Sequence, residues 1–122
     1  MPLPTRGVDG PGGIALETSH TVTTASSIAR AVDSLKALAD QNRIRIVEML
    51  SQREMCAIEL LGQLEISQPT LSHHMKVLAL ASIVRTRKTG AQVFYTVNRE
   101  RLAELSALLG RLGGDEAGEG AH

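Results

Sequence analysis

The sequence predicts a mainly α-helical chain with one small β-hairpin. Several stretches repeat Leu, Ile, Val or Met at the three- and four-residue spacing of an amphipathic helix. Residues 83–88 and 92–97 instead alternate β-branched residues with polar or basic ones, and the turn pair Thr89-Gly90 separates them. Aromatic residues make up only 2% of the 122 residues, so we expect a single aliphatic core, which favours packed helices.

The two ends of the chain are predicted to lie outside the folded domain. Residues 1–24 hold three prolines and four glycines without a sustained apolar period. Residues 113–122 consist largely of Gly, Asp, Glu and Ala and offer no hydrophobic anchor. We therefore expect a disordered or loosely attached arm over 1–24, a domain over 25–112 and a flexible tail over 113–122.

Two helices are predicted in the first part of this domain. The first spans residues 25–39, with Thr24 or Ser26 able to cap its start. Asp40 is the expected N-cap of the second helix, which ends near Ser51. Apolar residues recur at helical spacing in the first helix, at Ile28, Val32, Leu35 and Leu38. The apolar side of the second helix is predicted to consist of Ile44, Val47, Met49 and Leu50.

A third, shorter helix is predicted from about Glu54 to Gln63, and a four-residue connection leads from it into a fourth. Ser67 can cap the fourth helix, and Pro69 lies early enough that its missing N–H costs nothing. One stripe of the fourth helix is apolar, with Leu71, Met75 and Leu78. Its other face is polar, with Ser72, His73 and Lys76, and with Thr70 at the margin.

The third and fourth helices match a helix-turn-helix. In that motif the second helix enters the major groove of DNA and offers donors and acceptors to base edges. For the fourth helix taken alone, the alternative is the solvated face of an ordinary amphipathic helix.

The hairpin that follows carries Arg85, Arg87 and Lys88 near its tip. A basic hairpin directly after a helix-turn-helix is a wing, placed to contact phosphates, whereas a merely solvated hairpin is the alternative. The formal net charge of the chain is zero, which argues against non-specific coating of nucleic acid. Residues 67–101 nevertheless hold six basic residues and one acidic residue, so this end of the domain is locally positive.

A last helix is predicted to begin after Asn98. The apolar faces of the first and last helices together provide more hydrophobic surface than one core needs. We predict that the two terminal helices form the interface of a homodimer, which would present two fourth helices to a palindromic operator. Closure of a single monomer's core is the alternative. The predicted interface residues are Ile28, Val32, Leu35, Leu102, Leu105 and Leu109.

Several strings now resemble the ArsR/SmtB family of bacterial winged-helix repressors. Residues 35–40 followed by 43–47 resemble the family's entry into its second helix. Residues 67–78 are similar to its recognition helix almost residue for residue, and 93–97 resemble its second wing strand. The resemblance covers about 26–112 and implies a winged helix-turn-helix homodimer that occupies an operator and releases it when an inducer binds.

The resemblance also implies which residues contact DNA. The positions that match the family's base-facing residues are Gln68, Thr70, Ser72 and His73, and the expected phosphate contacts are Lys76, Arg85, Arg87 and Lys88. His74 projects toward the buried edge of the same helix and is expected to be a packing or supporting histidine. Ser82 stands where the family usually has glycine, so the turn into the wing lacks glycine's free access to positive φ.

Cys56 is the only cysteine, which excludes an intramolecular disulfide. Family members that sense metals or metalloids carry Cys-x-Cys on the third helix, but here the second position is Ile58. A soft ion needs two or three thiolates, so a metal or metalloid site at Cys56 would need His20, Glu54 or Glu59, or ligands from the other subunit. Oxidation of the thiol and simple packing are the other interpretations, and no further cofactor is expected.

Two other functional classes are set against a DNA-binding repressor. Cys56 with His73 or His74 could suggest the nucleophile and base of an enzyme, but no orienting group, oxyanion motif or phosphate loop accompanies them. A protein-interaction module on a winged-helix scaffold is the third class, and a family-like regulator acting without metal is also open. No apolar run reaches the length of a membrane span and no export signal is evident, so we expect a cytoplasmic location.

Overall fold

The computed structural model describes residues 24–114, and the predicted arm up to residue 23 and tail from residue 115 lie outside this range. Within it the order of elements is α1 (Ala25–Leu38), α2 (Gln41–Leu50), β1 (Met55–Cys56), α3 (Ala57–Gln63), α4 (Gln68–Leu80), β2 (Val84–Thr89), β3 (Gln92–Val97) and α5 (Arg99–Leu112). The prediction of a mainly helical domain with one hairpin is confirmed. None of the helices in this range is long and apolar enough to cross a membrane.

Side-chain caps fix the starts of four helices. The side chains of Thr24, Asp40, Ser67 and Asn98 each accept a hydrogen bond from the backbone N–H three residues further on. These bonds satisfy amide groups that have no partner inside the helix. Helices α1, α2, α4 and α5 therefore begin where the sequence predicts.

The third helix begins later than predicted. Met55 and Cys56 form the short strand β1, which pairs antiparallel with β3 at Tyr95 and Phe94. Met55 is 5% exposed and belongs to the core. The burial and the strand pairing outweigh the local helical preference, so the prediction of a helix from Glu54 was wrong at its first turn.

The three strands form one antiparallel sheet in the order β1-β3-β2. Thr89 pairs with Gln92 and the two residues between them make the turn of the hairpin. Gly90 has φ of 60°, the backbone conformation that a tight hairpin turn requires and that glycine adopts at little cost. We call residues 84–97 the wing.

An aliphatic core joins α2, α3, α4 and the base of the wing. Its buried members include Ile46, Leu50, Leu60, Leu64, Leu71, Met75, Leu78, Ile83 and Val84. The apolar stripe predicted for the fourth helix is confirmed. In α2 Leu50 is buried as predicted, but the prediction was wrong at Ile44, which is 48% exposed, because the helix turns Ile46 inward instead.

The turn from α4 into the wing contains a left-handed serine. Ser82 has φ of 62°. Its N–H donates to the carbonyl of Ala79 at 3.0 Å, and the N–H of Ile83 donates to the carbonyl of Leu78 at 2.9 Å, which together make a Schellman motif. The Asn98 amide donates to the Ser82 carbonyl at 2.9 Å. Hydrogen bonds therefore hold a serine in a conformation that favours glycine.

The terminal helices α1 and α5 pack against each other, and α1 buries its small residues. Its buried face consists of Ala31, Ser34 and Ala37, while its exposed face presents Ile28, Val32 and Leu35 at 48%, 41% and 43% exposure. Two residues predicted for a dimer interface are instead used inside the chain, since Leu105 is 6% exposed and Leu102 packs against the core. Leu109 remains 47% exposed.

Candidate nucleic-acid interface

The outer face of α4 is a polar surface on a firmly anchored helix. The exposed residues on this face are Gln68, Thr70, Ser72, His73 and Lys76. Leu71, Met75 and Leu78 on the opposite side are at most 3% exposed and fix the helix to the core. The exposed hydroxyl, amide and imidazole groups can both donate and accept hydrogen bonds, which is the chemistry that base edges in a major groove require.

The first turn of α4 is held by its cap. The Ser67 Oγ accepts a hydrogen bond from the Thr70 N–H at 3.3 Å, and the Ser67 hydroxyl donates to the Thr70 Oγ1 at 3.0 Å. The orientation of the Thr70 side chain is therefore set by the cap. This end of the helix also carries the positive end of the helix dipole, which favours an approaching phosphate.

His74 and Arg43 support α4 from behind. His74 is 6% exposed, and its Nδ1 lies 3.0 Å from the Arg43 Nη1. Because guanidinium can only donate, the His74 Nδ1 is the acceptor in this contact. The Arg43 Nε also donates to the Ala37 carbonyl at 2.6 Å. Arg43 thus joins the end of α1 to α4, and the predicted packing role of His74 is confirmed.

Asp40 completes this support. Its carboxylate caps α2 and its Oδ1 lies 3.9 Å from the His74 Nε2. The hydrogen bond from the Arg43 N–H, followed by the nearby His74 and Arg43 side chains, lowers the pKa of Asp40. Arg43 is therefore more than a solvated side chain of α2, because it makes two contacts inside the domain.

Arg87 in the wing contacts three other side chains, those of Glu54, Phe94 and Thr89. Its Nη2 and Nε donate to the two carboxylate oxygens of Glu54 at 2.8 and 3.1 Å. Its guanidinium carbon lies 4.8 Å from the centre of the Phe94 ring, and its Nη1 donates to the Thr89 Oγ1 at 2.6 Å. The hydrogen bond from Arg87 lowers the pKa of Glu54 and raises that of Arg87. Arg87 therefore ties the wing to the segment before β1.

The other two basic residues of the wing are more available. The Arg85 Nη2 lies 3.5 Å from the Glu100 Oε1, and both side chains are largely exposed, so this ion pair is weak. Lys88 is exposed next to the turn and makes no ion pair with any described residue. Successive strand residues point to opposite faces, so Lys88 projects away from the face that holds Arg87.

Cys56 is half-buried where β1 meets α3 and occupies the N-cap position of α3. Its N–H donates to the Glu59 Oε1 at 3.0 Å, and the Glu59 Oε2 accepts from the Arg53 Nη1 at 3.0 Å. The bond from Cys56 and then that from Arg53 lower the pKa of Glu59. Cys56 therefore has a structural position at the start of α3.

Within the described residues, the side chains around Cys56 do not fit a metal or metalloid ion. Glu54 and Glu59, two of the suggested co-ligands, are bonded to arginines, and His20 lies outside the described residues. Within residues 24–114 no group of three His, Cys, Asp or Glu side chains is arranged to hold an ion. A single thiolate falls short of what a soft ion needs.

The sequence is similar to those of known bacterial regulatory proteins. The sequence model described as "Bacterial regulatory protein, arsR family" matches residues 40–86. The arsenical resistance operon repressor of Staphylococcus aureus is 45% identical over 71 residues, which cover 58% of this chain and 68% of the repressor. The transcriptional activator HlyU of Vibrio cholerae is 40% identical over 84 residues, which cover 69% of this chain and 78% of HlyU.

The chain belongs to the ArsR family. Its match to another arsenical resistance operon repressor, from Staphylococcus xylosus, is 48% identical but spans slightly less than two thirds of that protein, 65%. Solved structures agree. HlyU from Vibrio cholerae N16961 has a TM-score of 0.61 at 40% identity and covers 73% of this chain and 97% of its own. A possible transcriptional regulator for arsenical resistance has a TM-score of 0.61 at 31% identity, and the match covers 66% of this chain and 83% of that regulator. The winged helix-turn-helix fold is confirmed.

Two residues that shape the surface of this ArsR-family protein were not predicted from sequence. For Arg43 the sequence offers only a weak signal, its position three residues after the cap Asp40. Its contact with His74 joins residues that are 31 positions apart in the chain. No sequence signal indicated the role of Glu54, because its partner Arg87 is 33 residues away in the chain.

Proposed function

We propose that this ArsR-family protein is a cytoplasmic, homodimeric transcriptional repressor that binds a palindromic DNA operator through its 25–112 domain. The observation that carries the proposal is that α4 has two different faces. One face is a buried apolar stripe, and the opposite face is a row of exposed hydrogen-bonding side chains. The function is one of binding, and no catalytic step is assigned.

In this proposal the base contacts come from Gln68, Thr70, Ser72 and His73. Lys76 on the helix and Lys88 in the wing contact phosphates, and Arg85 joins them by exchanging its weak pair with Glu100 for a phosphate. Arg87 is assigned to holding the wing, because its carboxylate and ring contacts already engage it.

Dimerisation is supported by the exposed face of α1. Its three large apolar side chains, Ile28, Val32 and Leu35, form one stripe at helical spacing, and Leu109 and Leu112 of α5 are also exposed. A contiguous apolar surface of this kind marks an interaction site. Two-fold pairing through the terminal helices would place two α4 helices for the half-sites of a palindrome.

Repression rather than activation follows from the relatives of higher identity, which are named as repressors, whereas HlyU is named as an activator. Release by an inducer belongs to the same proposal. An inducing metal or metalloid ion at Cys56 would require further ligands, from His20 or from the second subunit, because Glu54 and Glu59 are bonded to arginines. Titration of the operator-bound protein with Zn(II), Cd(II), arsenite and peroxide, beside Cys56→Ser, tests whether release depends on this thiol.

The proposal is tested by selecting operators from a random DNA pool and measuring affinity by fluorescence anisotropy. We expect a palindromic consensus, and we expect Ser72→Ala and His73→Ala to relax base preference at defined positions, each costing about 1–3 kcal/mol of discrimination. Gln52→Ala, an exposed change outside α4, is the matched control and should leave preference intact. Absence of any DNA binding at low salt would refute the function.

The dimer is tested separately by analytical ultracentrifugation. Val32→Asp places a charge in the exposed apolar stripe of α1 and should shift the protein toward monomer. A monomeric wild-type protein would contradict the proposed assembly.

A further inference from the structure

Asn98 lies between the end of the wing and the start of α5, and its backbone and side-chain polar groups are all bonded. Its N–H donates to the Ile83 carbonyl at 2.8 Å, and its carbonyl accepts from the Leu102 N–H at 3.2 Å. In the side chain, the Oδ1 accepts from the Arg101 N–H at 3.3 Å and the Nδ2 donates to the Ser82 carbonyl at 2.9 Å. One half-buried residue thus joins the start of α5 to the turn that ends α4.

The two side-chain bonds of Asn98 together require an amide. The first turn of α5 needs an acceptor, whereas the Ser82 carbonyl needs a donor. Among the residues that commonly cap helices, ionised Asp offers only acceptors, and Ser and Thr carry a single hydroxyl on a shorter side chain. Capping alone could be done by any of these residues. The bond to the Ser82 carbonyl is therefore what asparagine adds at this position.

The bond from Asn98 acts on a backbone turn that is costly for a serine. Ser82 has φ of 62°, a region that disfavours residues with a Cβ. The next N–H, that of Ile83, donates to the carbonyl of Leu78 in α4, and both of these residues are 0% exposed. The end of α4, the turn and the start of α5 therefore form one hydrogen-bonded unit. Loss of the Asn98 amide would leave the turn with fewer bonds to hold its conformation.

The direction of α5 depends on this unit. Packing of the buried Leu105 fixes one point of the helix, and Asn98 fixes a second, so together they set its axis. From Leu105 to Leu112, in the proposed dimer surface, the helix runs about 10 Å. A pivot of about 10° around Leu105 would move that end by about 2 Å in each subunit and about 4 Å across a dimer. One base pair advances the DNA by about 3.4 Å, so such a pivot matters to the fit on an operator.

We propose that Asn98 is a positioning residue that sets the half-site spacing of the operator, because it locks the start of α5 to the end of α4. The inference rests on the proposed function, since it requires a dimer that places two α4 helices on one duplex. A residue that only capped α5 would stabilise the helix without affecting the choice between operators of different spacing.

The test measures the affinity of the full chain for three duplexes by fluorescence anisotropy. One duplex is the selected operator, and in the other two the half-sites lie one base pair closer together or further apart. We expect the wild type to prefer the selected spacing. Asn98→Ser keeps a capping oxygen but loses the reach to the Ser82 carbonyl, and it should reduce this preference about two- to tenfold, the effect of one hydrogen bond.

Asn98→Asp gives an independent check. It keeps a strong cap and replaces the donor by an acceptor, so it should also reduce the spacing preference. Its added charge weakens binding to all three duplexes alike and cancels in the ratio of affinities. An unchanged ratio in both variants, or a wild type without spacing preference, would overturn the inference. Absence of any DNA binding by the wild type would instead refute the proposed function.

Thr24→Ala is the matched control for loss of a helix cap. The side chain of Thr24 caps α1 at 3.1 Å, and its described bonds reach only Ser26 and Ser27 in the same turn. The variant should lower stability but keep the spacing preference. An equal fall in preference for Thr24→Ala and Asn98→Ser would overturn the inference, because it would assign the effect to general loss of stability.

Hydrogen exchange of the free protein, followed by NMR, judges the joint without DNA. In Asn98→Ser the N–H groups of Ser82 and Ile83 should exchange about two- to tenfold faster, whereas that of Arg101, still capped, should change less. Unchanged exchange at Ser82 and Ile83 would overturn the inference. A uniform increase across the domain would do the same, since it would show that Asn98 stabilises the whole fold rather than this joint.

Discussion

The wing offers the sharpest quantitative prediction, because two adjacent basic residues differ in what they contact. Lys88 makes no ion pair with any described residue, whereas Arg87 is bonded to both carboxylate oxygens of Glu54 and stacked on Phe94. We expect Lys88→Ala to remove a phosphate contact and Arg87→Ala to leave phosphate contacts unchanged. Sequence alone assigns the same role to both residues.

The expected size follows from counterion release. The slope of log affinity against log salt is about −0.9 for each phosphate neutralised, and a dimer loses two contacts when Lys88 is replaced. The slope should therefore become shallower by about 1.8. Between about 50 and 200 mM salt, the variant should lose roughly twelvefold less affinity than the wild type. Arg87→Ala should keep the wild-type slope but unfold at lower denaturant concentration.

The assay is anisotropy of a labelled operator duplex at a series of salt concentrations, with urea unfolding of each variant measured in parallel. Glu54→Gln is the matched control, since it weakens the hold on Arg87 without changing a basic residue. Equal shallowing of the slope by Arg87→Ala and Lys88→Ala would refute the assignment, because it would show that Arg87 leaves Glu54 to contact DNA.

Three further predictions concern the helix-to-wing turn, the support of α4 and acid stability. Ser82→Gly should raise the free energy of unfolding by about 0.5–1 kcal/mol in urea titrations, because Ser82 has φ of 62°, and Ser82→Ala should give no such gain. His74→Ala should cost about 2–4 kcal/mol of stability and weaken operator binding although no exposed residue of α4 changes; unaltered DNA affinity would show that the bond to Arg43 does not position the helix. Since the pKa of Glu54 and of Glu59 is lowered in the folded state, their contribution to stability is present above the unfolded carboxylate pKa of about 4.3 and is lost as the pH falls through the lower folded values. Stability should therefore drop below about pH 4 and drop less steeply in Glu54→Gln, and identical pH profiles would contradict the Glu54–Arg87 assignment.

The parts of the fold that the sequence predicts are those determined by neighbouring residues. Ser67 and Asp40 are followed at the right spacing by a helical pattern, so both caps could be located without coordinates. The buried stripe of α4 was predictable for the same reason. In α2 apolar residues occupy two overlapping stripes, and only packing against the rest of the domain selects Ile46 over Ile44.

Features that join distant segments could not be predicted. Strand β1 exists because Met55 and Cys56 meet β3 almost 40 residues later, and that pairing overrides a segment with helical preference. The Glu54–Arg87 pair depends on the same long-range pairing, which is why Arg87 was first expected to contact phosphate. The sequence does indicate that Ser82 replaces a glycine, but it does not indicate that the serine keeps glycine's backbone conformation.

The most direct test of the DNA-binding surface is an NMR titration of the isotope-labelled protein with its selected operator duplex. The account predicts the largest amide shifts at Gln68, Thr70, Ser72, His73 and Lys76, with a second set around Lys88 and small shifts at Arg87. Shifts confined to α1 and α5, with the exposed face of α4 unperturbed, would contradict it.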